Sequence, residues 1–239
     1  MLRDHVGEVQ YGGTGIFKCT NPGQIALTFD DGPWQYTEDI IEQFGKYDFK
    51  ATFFITGNNL YLGRQIDDER TEYPALLRKM HRRGHQLASH TWTHQHLDII
   101  NHTERVKEIL YNEMALRNVL GLVPTYMRLP YGGPRRPDVM EDLNDLGYHI
   151  IQWNVDTKDY LHNSEDKMRA SIAIFDEAIG RDGEGSYIVL CHDIREWTAK
   201  LLVPAMLEII ADRGYEAVTV GECLNDPSEF WYRDPENEG

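Results

Sequence analysis

The chain has 239 residues, 41% of them hydrophobic, which suffices for one large domain or two small ones with a real core. Its net charge of −15 argues against nucleic acid and against an anionic membrane surface as partners, because phosphate is repelled along most of such a surface. No apolar stretch approaches the length of a membrane span. Residues Met1 to Val6 carry no hydrophobic signal core, so two expectations stand: a secreted or cell-wall protein whose signal sequence is absent from this chain, or a cytoplasmic one.

Taken in chain order, short strand-like runs rich in Ile, Val, Phe and Tyr alternate with helical patterns. Strands are predicted at 25–30, 51–56, 86–90, 125–129, 149–155, 187–191 and 216–220, and helices at about 37–47, 73–83, 103–120, 137–146, 165–180 and 198–213. Several strands lack polar alternation, as expected when both faces are covered. The helix 103–120 places Val106, Ile109, Leu110, Met114 and the run Leu116 to Leu120 on an inward stripe. Gly84, Gly147 and Gly214 each fall between a helix and the next strand, where C-terminal caps occur. This helix–Gly–strand repeat, with no internal linker, predicts one domain over 1–239 built on a parallel, barrel-like sheet, with its core at about 19–224. The segment 57–72 reads as a long surface loop. The acidic stretch 225–239 reads as a tail pinned by Trp231 and Tyr232. Cys191 lies inside an apolar run and is expected to be a buried free thiol. Cys19 and Cys223 flank the first and last strands, and if the sheet closes on itself a disulfide can join them. Asn101-His102-Thr103 is a sequon that chance explains as well as glycosylation does.

In a parallel α/β barrel, chemistry gathers at the C-terminal ends of the strands. The polar clusters of this chain obey that rule: Asp30-Asp31 after the first strand, His90 and His94 after the third, Arg128 to Tyr131 after the fourth, Asp156 and Asp159 after the fifth, and His192-Asp193 after the sixth. Carboxylates at the tip of an apolar strand are costly unless a cation or a hydrogen-bond network compensates them. One Asp with two His at i and i+4 is a sufficient protein shell for a catalytic zinc-type site, which leaves the other Asp free to act as a base.

Five motifs, Thr-Phe-Asp-Asp-Gly-Pro (28–33), Ser-His-Thr-Trp-Thr-His (89–94), Arg-Leu-Pro-Tyr (128–131), Asp-Thr-Lys-Asp-Tyr (156–160) and Val-Leu-Cys-His-Asp (189–193), resemble those of the polysaccharide deacetylases, carbohydrate esterase family 4, in the family's order. The segments around 148–151, 187–190 and 217–224 are similar to those of the fungal chitin deacetylases in particular. The resemblance implies a distorted (β/α) barrel of seven or eight parallel strands with outer helices, a divalent metal (Zn2+ first, Co2+ as the alternative) and a disulfide at Cys19–Cys223.

It further implies that Asp31, His90 and His94 hold the metal and that Asp30 is the general base, with Arg128 as its cationic partner. The backbone N–H of Tyr131 is implied as an oxyanion donor. His192 is implied as the general acid, and Asp156 as the partner that keeps it protonated. Leu190 is implied to line the acetyl pocket. Tyr160 stands where many family members carry Trp, and Trp34 is placed either to stack on a sugar ring or to pack. His81, His85, His96, His102, His149 and His162 read as structural or surface residues. The loop 132–137 lacks a cysteine pair that some chitin deacetylases carry there, and its Arg135-Arg136 pair is unusual in so acidic a chain. The expected function is metal-dependent N-deacetylation of β-1,4-linked N-acetylglucosamine in chitin or chitooligosaccharides by a monomer. The alternatives are another acetylated polymer such as peptidoglycan or xylan, a non-sugar amide, a carbohydrate-binding homologue that has lost activity, or a structural barrel with fortuitous carboxylates.

Overall fold

The computed structural model describes residues 2–59 and 63–234. At its centre lies β1 (Gln24–Asp30), buried along its length. It pairs in parallel with β2 (Thr52–Ile55) on one side and β10 (Tyr187–His192) on the other. Beyond β2 come β5 (Gln86–Ser89), β7 (Tyr126–Met127) and β8 (His149–Ile150). Beyond β10 comes β9 (Val155–Asp156), and β11 (Glu216–Ala217) lies against the start of β1. The result is an eight-stranded parallel sheet, and its two ends belong to one stretch of chain. Residues 149–151 pair with β7, and by Asn154 the same chain donates to Ile188 of β10. The sheet is thereby curled round on itself into a distorted barrel.

Side-chain parity along each strand sorts residues between two apolar layers. Ile25, Leu27 and Phe29 of β1, Phe53 and Ile55 of β2, and Val189 and Cys191 of β10 face outward. They pack under α1 (Thr37–Gly45), α2 (Tyr73–Arg82), α5 (Glu165–Ala178) and α6 (Val203–Asp212). Ala26, Phe54, Ala88 and Ile188 face the barrel interior with Tyr126 and Ile151. Each fully buried Leu, Ile or Phe contributes about 1.5–3 kcal/mol relative to exposure. The same parity carries Thr28, Asp30, His90 and His192 to the inner face at the end where these strands stop. A third cluster under α3 (His102–Leu120) and α4 (Pro137–Asp145) holds Leu97, Ile109, Val139 and Leu143.

Several boundaries differ from the sequence reading, each for a long-range reason. The run 149–155 is interrupted between β8 and β9 because it changes partners midway. The run 125–129 shrinks to Tyr126–Met127, preceded by β6 (Val123–Pro124), which pairs antiparallel with β12 (Tyr232–Arg233). The run 216–220 ends at Ala217, because Thr219 and Glu222 form a capping box that starts α7 (Val220–Cys223). The helix predicted from 198 opens as a π-helical turn, Thr198–Leu202. The loop 57–72 contains a short hairpin of β3 (Asn58–Asn59) with β4 (Arg64–Gln65), and its residues 60–62 lie outside the described residues.

The inward stripe of α3 is also rotated from expectation. Met114 is 52% exposed, and the buried face carries Arg105, Glu108, Asn112 and Glu113. Each has a partner: Arg105 meets Asp138 and Asp142, Glu108 meets Thr93, Asn112 meets Ser89, and Glu113 meets Arg3 and Tyr148. Trp231 and Tyr232 do pin the tail, Trp231 through Nε1–H to the Asp226 carbonyl and Tyr232 by accepting from the Leu87 amide. The last residues of that tail, 235–239, fall outside the described residues.

Cys19 and Cys223 form a disulfide with their Cα atoms 4.9 Å apart, and Cys191 is free and buried. The bond closes a loop with a sequence separation of 204 and ties the entry of the sheet to its last helix. Replacing both cysteines by Ser is expected to lower unfolding free energy by about 2–5 kcal/mol in denaturant titrations.

Candidate active site

The last residues of β1, β5 and β10 and the loops after β5, β7 and β9 meet at one end of the barrel. Asp30 closes β1, and the pairing register sets it beside His192. Its Oδ1 accepts from Nη1 of Arg128 at 2.8 Å. Arg128 is fully buried, and its guanidinium also donates to the Thr28 hydroxyl and to the carbonyls of Ile151 and Gln152. Its face lies 4.2 Å from the centroid of Phe54. Burial pulls down the pKa of this guanidinium, and the carboxylate of Asp30 opposes that shift.

Asp31 turns away from the strand with a φ of 77°, a left-handed conformation that a non-glycine residue keeps only under constraint. The constraint is visible. The Asp31 carbonyl accepts from the side chain of Asn59, and the next carbonyl, of Gly32, accepts from the amide of Thr56. The carboxylate of Asp31 meets Nε2 of His94 at 3.1 Å and Nε2 of His90 at 3.4 Å. Thr91, His94, Tyr131 and Lys158 also have positive φ, so backbone strain is concentrated on the motifs that build the site.

The donor set fits a metal. Nδ1 of His90 lies 2.8 Å from the Arg128 carbonyl, which has no proton to give, so Nδ1 is the donor. That leaves Nε2, whose lone pair is free to bind a cation when it carries no proton, aimed at a carboxylate. Oδ1 of Asp31 is buried and finds no hydrogen-bond donor. One ligand atom from each of Asp31, His90 and His94 lies within 4.8 Å of the others. Three electron-rich atoms so arranged repel one another unless a cation sits between them, and one Asp with two His leaves coordination positions open. Without a cation, burial raises the cost of charge on Asp31, but donation from His90 and His94, once protonated, and the field of His192 outweigh it and hold the carboxyl well below the usual range.

His192 is held from behind by Asp159, not by Asp156. Oδ1 of Asp159 takes Nδ1 of His192 at 2.7 Å, and Oδ2 takes the His192 amide and the Thr198 hydroxyl, each at 2.7 Å. Asp156 pairs in register with Leu190, two residues short of His192, and its carboxylate accepts instead from the Lys158 amide and the Tyr160 hydroxyl. The left-handed turn at Lys158 brings Asp159 back under the ring. Burial works against charge on His192, but Asp159, with Asp31 and Asp30 behind it, pushes the imidazole pKa up to about 9.

The remaining expected residues ring this centre. Tyr131 is 61% exposed, lies edge-on to His94 and is stacked on His96, which gives His96 a supporting place that the sequence did not show. Tyr160 meets His192 edge-on. Leu190 lies in β10 on the same side of the strand as His192, two residues deeper. Trp34 faces a cleft of about 480 Å³ shared with Arg64, Arg70 and Tyr73, beside the centre rather than in it. Glu108 of α3 was not foreseen. Its carboxylate holds the amide and hydroxyl of Thr93, and its carbonyl takes the Trp92 amide, which fixes the loop bearing His94.

Comparison with known proteins agrees with this geometry. The sequence profile of the family described as polysaccharide deacetylase matches residues 17–151. The chain is 40% identical over 222 residues to a chitin deacetylase of Colletotrichum lindemuthianum, covering 92% of this chain and 87% of that protein. The chain belongs to the polysaccharide deacetylase family. The solved structure of the chitin deacetylase from Colletotrichum lindemuthianum superimposes with a TM-score of 0.89 at 39% identity, covering 95% of this chain and 98% of that one. A peptidoglycan N-acetylglucosamine deacetylase structure, Bc1960, matches with a TM-score of 0.70 at 25% identity over 88% of this chain and 92% of that one.

Two measurements test these contacts. Arg128→Met strands the buried Asp30 carboxylate and should cost about 3–5 kcal/mol of stability in denaturant titrations. In the metal-free protein, His192 should titrate near pH 9 by NMR, and Asp159→Asn should bring it down by more than one unit. Because the folded pKa lies above the unfolded 6.5, this pair stabilises fully below pH 6.5 and is lost as pH rises through 9.

Proposed function

We propose that this chain removes N-acetyl groups from β-1,4-linked N-acetylglucosamine units of chitin or chitooligosaccharides, releasing acetate and leaving glucosamine. As a polysaccharide deacetylase it is an amide-hydrolysing enzyme. The observation that carries the reading is the meeting of the Asp31–His90–His94 group, the Asp30–Arg128 pair and the His192–Asp159 pair at one end of the barrel. The choice of chitin rests on the 40% identity to the chitin deacetylase named above and on its TM-score of 0.89, against 0.70 for the peptidoglycan deacetylase structure; by identity alone the margin is narrow, since a probable peptidoglycan-N-acetylglucosamine deacetylase of Arthroderma benhamiae is 37% identical.

In this reading Asp31, His90 and His94 hold a divalent metal, zinc by the chemistry of the donor set. When bound, it supplies Lewis-acid polarisation of the acetyl carbonyl and a more acidic water. Asp30 takes the proton of the attacking water, and Arg128 holds that carboxylate in place. His192, kept protonated by Asp159, gives its proton to the leaving amine. The backbone N–H of Tyr131 donates to the developing oxyanion, and Leu190 bounds the space for the acetyl methyl. Tyr160 and Trp34 flank the sugar. Asp156 acts on Tyr160 and the turn before Asp159 rather than on His192 itself.

The disulfide supports an oxidising compartment, secreted or cell wall. Among the described residues no helix is long and apolar enough to cross a membrane.

The test is acetate release from chitooligosaccharides by chelated protein and by the same protein given back zinc. Activity is expected to vanish with chelator and return with metal. Asp30→Asn should lose about 10²–10⁴-fold in kcat while still binding zinc. A higher kcat/KM on acetylated peptidoglycan or xylan than on chitin fragments would overturn the substrate assignment and leave the site intact.

A further inference from the structure

Behind the turn that carries Asp31 lies a carboxylate for which the mechanism has no use. Asp193 follows His192 directly and is completely buried. Its Oδ2 accepts from the Thr37 hydroxyl, and that hydroxyl in turn accepts from the Trp34 amide. The carboxylate is pressed against Gly32. A Cβ added at Gly32 would lie 2.0 Å from Oδ2 and 2.3 Å from Oδ1 of Asp193. Gly32 has no positive φ, so its own backbone does not demand glycine. The space does, because Asp193 fills it.

We infer that Asp193 is a positioning residue for the metal site: it wedges the 31–37 turn from behind and sets the carboxylate of Asp31 toward His90 and His94. This rests on the reading of Asp31 as a metal ligand. The turn needs such a support because Asp31 is held at a φ of 77°, a conformation costing on the order of 1–3 kcal/mol. Asn59 and Thr56 hold its carbonyls from the β2–β3 side. Asp193 closes the opposite side, from β10. Through that contact the segment bearing the proposed base and ligand is fixed to the segment bearing the proposed acid. The arrangement also explains a sequence pairing, glycine after Asp-Asp and aspartate after His192, as two halves of one steric fit.

Zinc affinity by chelator competition tests this without substrate, with thermal unfolding of the metal-free proteins to show that they fold. Asp193→Ala is expected to lose zinc affinity by about 10–100-fold, and kcat by a similar factor with KM little changed. Asp193→Asn, which keeps the shape and an acceptor for Thr37, should retain most of the affinity. Gly32→Ala should also weaken zinc binding, and adding Asp193→Ala to it should restore part of the loss, because the clash is gone. Thr37→Val reads the same contact from its other end if Asp193→Ala fails to fold, and should weaken zinc binding in the same direction. Unchanged zinc affinity in Asp193→Ala (or in Thr37→Val in its place), or a double variant no better than Gly32→Ala, overturns the inference. Failure to release acetate from chitin fragments, by contrast, would strike the substrate assignment and leave the zinc results standing.

Discussion

A charged guanidinium with zero exposure is the constraint on which the rest of this molecule depends. Taking Arg128 out of water costs several kcal/mol, recovered only if its donors are met. They are met by four acceptors from two separate parts of the chain: Thr28 and Asp30 on β1, and the carbonyls of Ile151 and Gln152 where the chain leaves one end of the sheet for the other. One guanidinium therefore joins the end of β1 to the segment that closes the barrel. Its backbone contributes as well. The Arg128 amide donates to the Ser89 carbonyl, and its own carbonyl fixes which nitrogen of His90 carries the proton. One residue thus holds the proposed base and fixes the proton on Nδ1 of a proposed metal ligand.

The site is strained where it is reactive and braced where it is strained. Asp31, Thr91, His94, Tyr131 and Lys158 all have positive φ without being glycine. Such residues persist only where their surroundings over-determine them. Asn59 and Thr56 hold the turn at Asp31, Glu108 holds the loop between Thr91 and His94, and Asp156 takes the amide of Lys158. These braces come from a helix, a hairpin and a neighbouring strand, so the loops carrying the chemistry have few ways to move independently. Preorganised donors and ligands gain most from such rigidity, since no reorganisation is needed as charge develops.

What the sequence made legible was whatever is local. Strand parity, the helix–Gly–strand repeat and the spacing of His90 and His94 are local patterns, and the structure agrees with them. The readings that moved were those set by distant partners. The run 149–155 is one apolar stretch by composition, but it breaks because its halves pair with β7 and β10. Asp156 and Asp159 are indistinguishable in sequence, and only the left-handed turn at Lys158 decides which lies under His192. Glu108 sits on a helix face that apolar periodicity assigned to solvent. It is buried because Thr93 supplies both of its hydrogen bonds, a partner that no spacing rule could point to.

Proton traffic follows from the register of two strands. Asp30 and His192 stand opposite each other on β1 and β10, and neighbouring strands lie about 4.8 Å apart. A carboxylate so close favours the protonated imidazole, and Asp30 adds to the field that raises His192. Each also has a charged partner of its own: Arg128 for Asp30, Asp159 for His192. The Asp30 carboxylate accepts from a fully buried guanidinium. The imidazole is kept charged by an anion that cannot leave, since Asp159 is completely buried and bonded through both oxygens. A carboxylate held by a cation thus stands opposite an imidazole held by an anion, the arrangement that the proposed base and acid call for.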